Sequence, residues 1–256
     1  MHLHLPKAIH GWREFAKEVG IIVLGVLIAL GFEQVVQAWR WREDARTTRS
    51  ALASEIEYST LWAIERLAVQ QCLRARLADL TAKLNSGEAW RGDPLVLGEA
   101  RSPIGRPMET GIPMVYRAPH RPWLSDEWQT AKAGGVIDHM SRTDARDFAF
   151  IYRNIDQLQL LQTEEASLQP QVSFLSFDHV LDPQVRAQAF ITLSRLDYLN
   201  AMQAQSSSQM LSAIEGAKLP MRPMQIGQHV IGFASARAQI IEAAREHYGD
   251  CVSQPQ

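Results

Sequence analysis

An uncharged apolar stretch close to the start of the chain constrains this protein more than any other feature. It is VGIIVLGVLIALGF, residues 19–32. As a helix these 14 residues span about 21 Å, which is short of the ~30 Å hydrocarbon core of a membrane. Extension to Trp39 lengthens the helix to about 31 Å. Trp12 and Phe15 precede the stretch and Trp39 and Trp41 follow it, as in an aromatic belt at a membrane boundary. The pattern predicts a transmembrane helix over 19–39.

The stretch is also compatible with two alternatives. The core helix of a soluble protein would also be apolar, although it would rarely lie so near the terminus. A cleaved signal peptide would have a basic leader, here Lys7, Arg13 and Lys17, and a small-residue cleavage site, for which 29–31 and 36–38 are candidates. Neither candidate is a clean A-x-A sequence, so we favour an uncut anchor in the lipid bilayer.

Charges on the two sides of the predicted span are nearly balanced. Lys7, Arg13, Lys17 and the amino terminus precede it, and Arg40, Arg42, Arg46 and Arg49 follow it. Moving a tail with three cations and an amino terminus across a membrane is unfavourable, whereas long C-terminal domains cross largely regardless of charge. We therefore expect a single-pass membrane protein with a cytoplasmic N-terminus and an exported C-terminal bulk.

The composition of the chain fits a globular domain after the anchor. The 256 residues are 46% hydrophobic and 21% charged, and the net charge of -2 does not favour a nucleic-acid partner. Cys72 and Cys251 are the only cysteines, and they are either a disulfide in an exported domain or buried thiols.

The distribution of Gly and Pro predicts the organisation of the chain. Residues 40–86 contain neither, whereas half of the prolines fall within 87–124. We predict an all-α fold in which the transmembrane helix is followed by an elongated helical bundle with a proline-rich loop excursion. The predicted segments are an N-terminal tail (1–18), a transmembrane helix (19–39), a long amphipathic helix (40–86), a proline-rich loop (87–124), the remaining helices (125–250) and a tail (251–256).

Leucines in the long helix follow a heptad-like spacing, at Leu73, Leu77, Leu80 and Leu84. Such a face is buried either by the protein's own later helices or by a second copy in a coiled coil. We slightly favour the intramolecular bundle for these leucines. Self-association is expected for the anchor, where Gly25 and Ala29 form a small-xxx-small pair that permits close helix approach.

The later helices have recognisable start sites. Ser125 is a candidate N-cap, Ser141 with Asp144 resembles a capping box, and Asp182 is a candidate cap before Pro183. The last helix is expected to include Ile226, Val230, Phe233 and Ile240 and to end near Gly249.

No pattern in the sequence indicates catalysis, a metal site or a cofactor. The chain has no H-E-x-x-H, C-x-x-C or G-x-S-x-G, so we do not expect an enzyme. Trp123, Trp128, Arg117 and Arg121 are of the residue types enriched at binding hot spots, which makes them a candidate interaction surface for a protein partner. The alternative is that the tryptophans fold the loop back onto the bundle.

Residues 18–30, EVGIIVLGVLIAL, followed by Trp39 and a charged helix over 40–49, resemble the opening of a bacterial family of single-pass membrane proteins of unknown function. Trp128 to Ile137 and Tyr152 also resemble the middle segment of that family, and the C-terminal third does not. The resemblance implies a membrane-anchored, mainly helical protein without assigned catalytic residues. We expect a non-enzymatic interaction or scaffold role at the bacterial inner membrane, with the bulk of the chain in the periplasm. The alternative is a ligand-sensing bundle outside the cytoplasm that relays through a membrane partner.

Overall fold

The computed structural model describes residues 11–86, 89–95, 113–219, 221–226 and 228–255, without the side chains of Glu14, Gln225 and Ile226. Five α-helices dominate these residues. They are α1 (Trp12–Asn85), α2 (Asp126–Ala133), α3 (Arg142–Leu168), α4 (Pro183–Gly216) and α5 (Phe233–Tyr248). Two 3-10 helices (Val136–His139 and Gln169–Ser176) and an antiparallel hairpin of β1 (Met224–Ile226) and β2 (His229–Ile231) complete the fold. The predicted all-α class is confirmed.

Helix α1 continues from the predicted membrane span into the bundle without interruption. Its 74 residues extend about 111 Å at 1.5 Å per residue. It begins at Trp12, inside the segment predicted as a tail, because residues 12–18 include good helix formers and no Gly or Pro. It ends at Asn85, within one residue of the predicted boundary.

The second half of α1 is the central helix of the bundle. Every residue from 59 to 66 is buried, so this part of the helix is covered on all sides. Helices α4 and α5 pack most extensively on α1, and α2 packs on it as well. Helix α3 reaches α1 through side-chain hydrogen bonds. Helix α4 also packs along α3.

Side-chain contacts give the helix directions. Asp144 and Glu165 of α3 meet Arg49 and Arg66 of α1 respectively, so α3 runs parallel to α1. Arg186, near the start of α4, donates to the carbonyl of Leu84, near the end of α1, so α4 runs antiparallel. One end of the bundle therefore contains the start of α3, the C-terminus of α4 and the point where α1 enters the bundle.

The leucines with heptad-like spacing belong to this single-chain core. Leu73 and Leu77 are 3% and 2% exposed, and Leu80 and Leu84 are fully buried. The chain's own helices bury this face, which leaves no seam for a coiled coil with a second copy.

Two of the predicted caps are confirmed. The Ser141 hydroxyl accepts a hydrogen bond from the Asp144 amide at the start of α3, and the Asp182 carboxylate accepts from the Gln184 and Val185 amides at the start of α4. The hydroxyl of Ser125 makes no such bond at α2.

The last predicted helix begins later than expected. Val230 and the backbone of Ile226 belong to the β-hairpin, and α5 begins only at Phe233. Gly227 and Gly232 interrupt this part of the sequence, and glycine disfavours helix interiors, whereas the β-branched residues around them favour strands. The end of α5 at Tyr248, next to Gly249, matches the prediction.

The proline-rich segment lies against the bundle where the structure describes it. Trp90 forms an isolated antiparallel bridge with His179, and the Leu95 amide donates to the Met114 carbonyl. Residues 96–112, the middle of the predicted loop, lie outside the described residues. No helix occurs in the described parts of the segment, 89–95 and 113–124.

Candidate functional site

The first half of α1 projects from the bundle. All described side chains from Trp12 to Arg40 are exposed, and the large apolar ones between Val19 and Phe32 are 40% to 71% exposed. An 18-residue window here has a mean hydropathy of 2.3 and is not buried at all. Among the described residues, this is one helix that is long and apolar enough to cross a membrane. Its exposure argues against the alternative of a core helix.

Gly25 and Ala29, the candidate packing pair, lie on this projecting part. Both are exposed, and a side chain added at Gly25 would meet no other atom within 4 Å. The face that they share is therefore free within this chain, and self-association through it stays a prediction.

The two tryptophans of the candidate interaction surface are core residues. Trp123 and Trp128 are 6% and 7% exposed. Trp128 stacks on Tyr152 of α3 at a ring distance of 5.1 Å, and the Trp123 indole N–H donates to Gln162 at 3.2 Å. They anchor the proline-rich segment and α2 on the bundle, which is the alternative considered for them, and they do not form a free surface.

Arg121 is held by the bundle as well. Its guanidinium donates twice to the Glu65 carboxylate, at 2.7 and 2.6 Å, and lies 5.1 Å from the centre of the Trp62 ring. Arg117 is half-buried. The pKa of His247 is lowered, mainly because the imidazole is buried and also because the positive charges of Arg117 and Arg121 lie near it. The side chains of the candidate interaction surface therefore make contacts within the chain, and these contacts hold the segment before α2 on the bundle.

A buried polar cluster, which we call the polar centre, lies between α1, α3 and α4. Arg66 donates to both carboxylate oxygens of Glu165 at 2.9 Å, and their side chains are 3% and 1% exposed. Three more side chains complete the polar centre: Tyr116 and Gln203 donate to Glu165 at 2.7 and 2.9 Å, and Asn200 accepts from Arg66 at 3.2 Å. The pKa of Tyr116 is raised, mainly because the phenol is buried and also because the negative charge of Glu165 lies next to it. The phenol therefore stays protonated and acts as a donor.

Sequence reasoning missed the polar centre because its members are far apart in the chain. Arg66 and Glu165 are separated by 99 positions. The one local clue is a run of ionisable residues on α1 in the part that the bundle buries: Glu55, Glu57, Glu65 and Arg66. Buried charges need partners, so such a run predicts that surrounding elements supply them.

Each of these charged residues has a partner on a different element. Glu55 accepts from the Tyr152 hydroxyl at 2.6 Å and from the Glu127 amide at the start of α2. Glu57 accepts from the Arg222 amide just before β1. The central helix thereby fixes the position of α2, α3, α4, the proline-rich segment and the hairpin through hydrogen bonds in addition to packing.

A disulfide joins the end of the chain to the central helix. Cys72 and Cys251 are bonded, with their Cα atoms 5.3 Å apart, within the usual range for such bonds. Beside them, Val252 is buried and the Ser253 amide donates to the Ala68 carbonyl at 3.0 Å. Of the two alternatives for the cysteines, the structure has the disulfide.

The projecting helix meets the bundle at a junction formed by two contacts. Trp41 stacks on His139, at the end of the first 3-10 helix, with ring centres 4.0 Å apart. Two turns further, Arg49 pairs with Asp144 at 3.1 Å. Between the projecting helix and His139 lies a groove of about 400 Å³, which we call the junction groove. Its lining residues are Gln34, Gln37, Ala38, Trp41, Arg42 and His139.

In the part of the chain that the structure describes, no group of three or more His, Cys, Asp or Glu side chains is arranged to hold a metal ion. Comparisons with family models, with curated proteins and with solved structures return no match to this chain. The projecting helix, the disulfide, the junction groove and the exposed faces of the bundle are the features from which we argue below.

Proposed function

We propose that this protein is a single-pass anchor of the bacterial inner membrane that presents a helical bundle to protein partners, without catalysing a reaction. The observation that supports this most strongly is the continuity of α1. Its first half is exposed and apolar, and its second half is the buried centre of the bundle. Lipid is the environment that removes such a helix half from water.

The disulfide supports a periplasmic bundle. Disulfides persist in oxidising compartments and are rare in the cytosol. The bond between Cys72 and Cys251 lies in the bundle, which supports an oxidising compartment on the C-terminal side of the span. The cations Lys7, Arg13 and Lys17 then stay in the cytoplasm, as the charge rule favours.

Exposed apolar side chains on α4 support a role in protein contacts. Ile191 and Tyr198 are 59% and 62% exposed and lie seven residues apart, on one face of the helix. Leu160 of α3 is 71% exposed. Contiguous exposed apolar patches mark interaction sites, and Ile191 with Tyr198 is the pair around which we propose such a patch.

Photo-crosslinking in intact cells tests the proposed interaction. A photoreactive phenylalanine at Tyr198 should give one discrete adduct with another protein, and Ile191→Glu in the same chain should abolish it. The same group at Glu242, which is exposed on α5, is the matched control and should give none. Absence of an adduct at Tyr198, or equal labelling at both positions, would reject the interaction role.

Ligand sensing is the second candidate, and the same continuity of α1 favours it. A helix without a break from the span to the polar centre can transmit a shift of the bundle to the membrane. A sensor should show a higher melting temperature with one class of small molecule in a screen of the purified protein, and a scaffold should not.

A further inference from the structure

We infer that the junction groove binds the phosphate-bearing headgroup of a membrane phospholipid. The inference rests on the proposed membrane anchor, because that anchor sets the depth of the groove. It assigns a ligand, the lipid headgroup, to the junction groove, which the side chains of this chain leave open.

The depth of the groove matches the headgroup layer. With the span ending at Trp39, Arg42 lies about 4.5 Å beyond that end along the helix. The headgroup region adds ~5–7 Å on each side of the hydrocarbon core. Gln37 lies about 3 Å inside the same end, next to the glycerol esters, and Gln34 lies about 7.5 Å inside, from where its side chain can extend towards them.

One face of the helix is polar at this depth. Gln34, Gln37, Ala38, Trp41 and Arg42 follow the spacing i, i+3, i+4, i+7 and i+8, which places them on one side. On the other side, Phe32, Val35, Val36 and Trp39 suit acyl chains. Glu33 also lies at this depth, and its carboxylate accepts a hydrogen bond of 3.5 Å from the Gln37 amide, which leaves the second N–H of that amide for a lipid oxygen. Amide groups near the hydrocarbon boundary need hydrogen-bond partners, and phosphate and ester oxygens accept such bonds.

Arg42 has the charge that a phosphate requires. Among the described residues it is exposed and forms no ion pair, whereas its neighbours Arg46 and Arg49 pair with Glu43 and Asp144. His139 stacks on Trp41 and forms the opposite wall of the groove. Arginine suits phosphate because its guanidinium forms charge-assisted bonds of fixed geometry.

The lining of the groove favours a lipid headgroup over a second anchor helix. Arg42 and two glutamines line a space of about 400 Å³, which suits an anionic polar group better than the apolar side chains of a second span. A small-molecule group fits the usual range of binding sites, about 300–1,000 Å³. A second copy is thus kept as an outcome of the test and not as the proposal.

Native mass spectrometry of the full-length protein, extracted from membranes in mild detergent, tests the inference. The wild type should retain a phospholipid through washing, and Arg42→Gln should lower the retained fraction about tenfold through loss of a charge-assisted bond. Arg46→Gln removes a cation one turn away, outside the groove, and should retain lipid like the wild type. Inorganic phosphate in the wash should not displace the lipid, since the acyl chains and the two glutamines also bind it.

Equal retention by Arg42→Gln and the wild type would overturn the inference. So would disulfide cross-linking of two copies through Gln37→Cys, because a second helix would then fill the groove. Alkaline carbonate washing of the same membranes separates this failure from failure of the anchor. A chain that stays in the pellet without selective lipid retention refutes the lipid site alone, and release of the wild type refutes both proposals.

Discussion

Arg66 and Glu165 form the most deeply buried ion pair of the described residues. We expect this pair to affect the free energy of unfolding more than the exposed pair of Glu164 with Arg195. Removing one partner of a buried pair leaves the other charge without compensation, at a cost of about 3–5 kcal/mol. Glu165→Gln should therefore lower the free energy of unfolding by that amount in urea titrations of the detergent-solubilised protein.

Glu164→Gln is the matched control for this substitution. Glu164 is the adjacent residue and pairs with Arg195 at 2.7 Å on the exposed side of α3, where such pairs contribute at most ~1 kcal/mol. Equal effects of the two substitutions would mean that the polar centre does not stabilise the bundle.

Asp93 makes part of the stability dependent on pH. Burial alone would raise its pKa, but hydrogen bonds from Lys83 and Arg76 outweigh burial and lower the pKa of this carboxyl. A group with a lowered pKa in the folded state contributes stability above its unfolded pKa, and this is lost as the pH falls through the folded pKa. The melting temperature of the wild type should thus fall more steeply below pH ~4 than that of Asp93→Asn. Parallel pH profiles would contradict this assignment.

Local rules predicted some residue roles and failed for others. The caps at Ser141 and Asp182 were predictable because each hydroxyl or carboxylate binds amides within three residues. At α2, Ser125 occupies the predicted N-cap position, but its hydroxyl makes no cap bond. The amide of Glu127 instead donates to Glu55, which lies 72 positions away. No local pattern contains a partner at that separation.

At the scale of elements, α1 illustrates what a sequence can define. The absence of Gly and Pro from 40–86 predicted its end within one residue, and its apolar start predicted the projecting half. The hairpin was missed because Ile226, Val230 and Phe233 are spaced by four and three, as on a helix, although the backbone there forms strands. A short β-hairpin can mimic helical spacing over so few residues.

Burial of Leu77 by the chain's own helices gives a prediction about α1. Leu77→Asp places a carboxylate without a partner in the core, and we expect loss of at least ~4 kcal/mol of unfolding free energy. Circular dichroism should show melting at a lower temperature without a prior change of oligomeric state. The matched control is Ala78→Asp, because Ala78 is the next residue of α1 and its side chain is exposed. Dissociation of a dimer with helicity intact would contradict the single-chain bundle.

At the scale of the whole molecule, the disulfide closes a long loop between the central helix and the C-terminus. The bonded cysteines are 179 positions apart, and bonds that close long loops stabilise by roughly 2–5 kcal/mol. The double substitution Cys72→Ser with Cys251→Ser should lower the urea midpoint, and a reductant should lower that of the wild type equally. The reductant should not affect the double variant. An unchanged wild-type midpoint on reduction would show that the bond is not formed or does not stabilise the bundle.

The fold class and the order of the elements were predictable from the sequence, and some long-range contacts were not. The all-α class and the order of candidate membrane span, long helix and bundle followed from hydropathy and from the positions of Gly and Pro. Pairing of the cysteines did not, because two cysteines in a helical chain are equally compatible with buried thiols. The burial of Trp123 and Trp128 also depended on how the proline-rich segment packs, which sequence spacing does not define.

A cysteine gel-shift assay on carbonate-washed membranes tests the central claim most directly, because it reports anchoring and compartment together. Cells expressing the full-length chain are lysed into a thiol-blocking reagent, and the membranes are washed with alkaline carbonate. A maleimide-polymer reagent is then added with or without prior reduction. We predict that the full-length chain stays in the pellet and shifts by two polymer units only after reduction. Release of the chain into the wash, or cysteines that were blocked before reduction, would contradict a membrane-anchored bundle in an oxidising compartment.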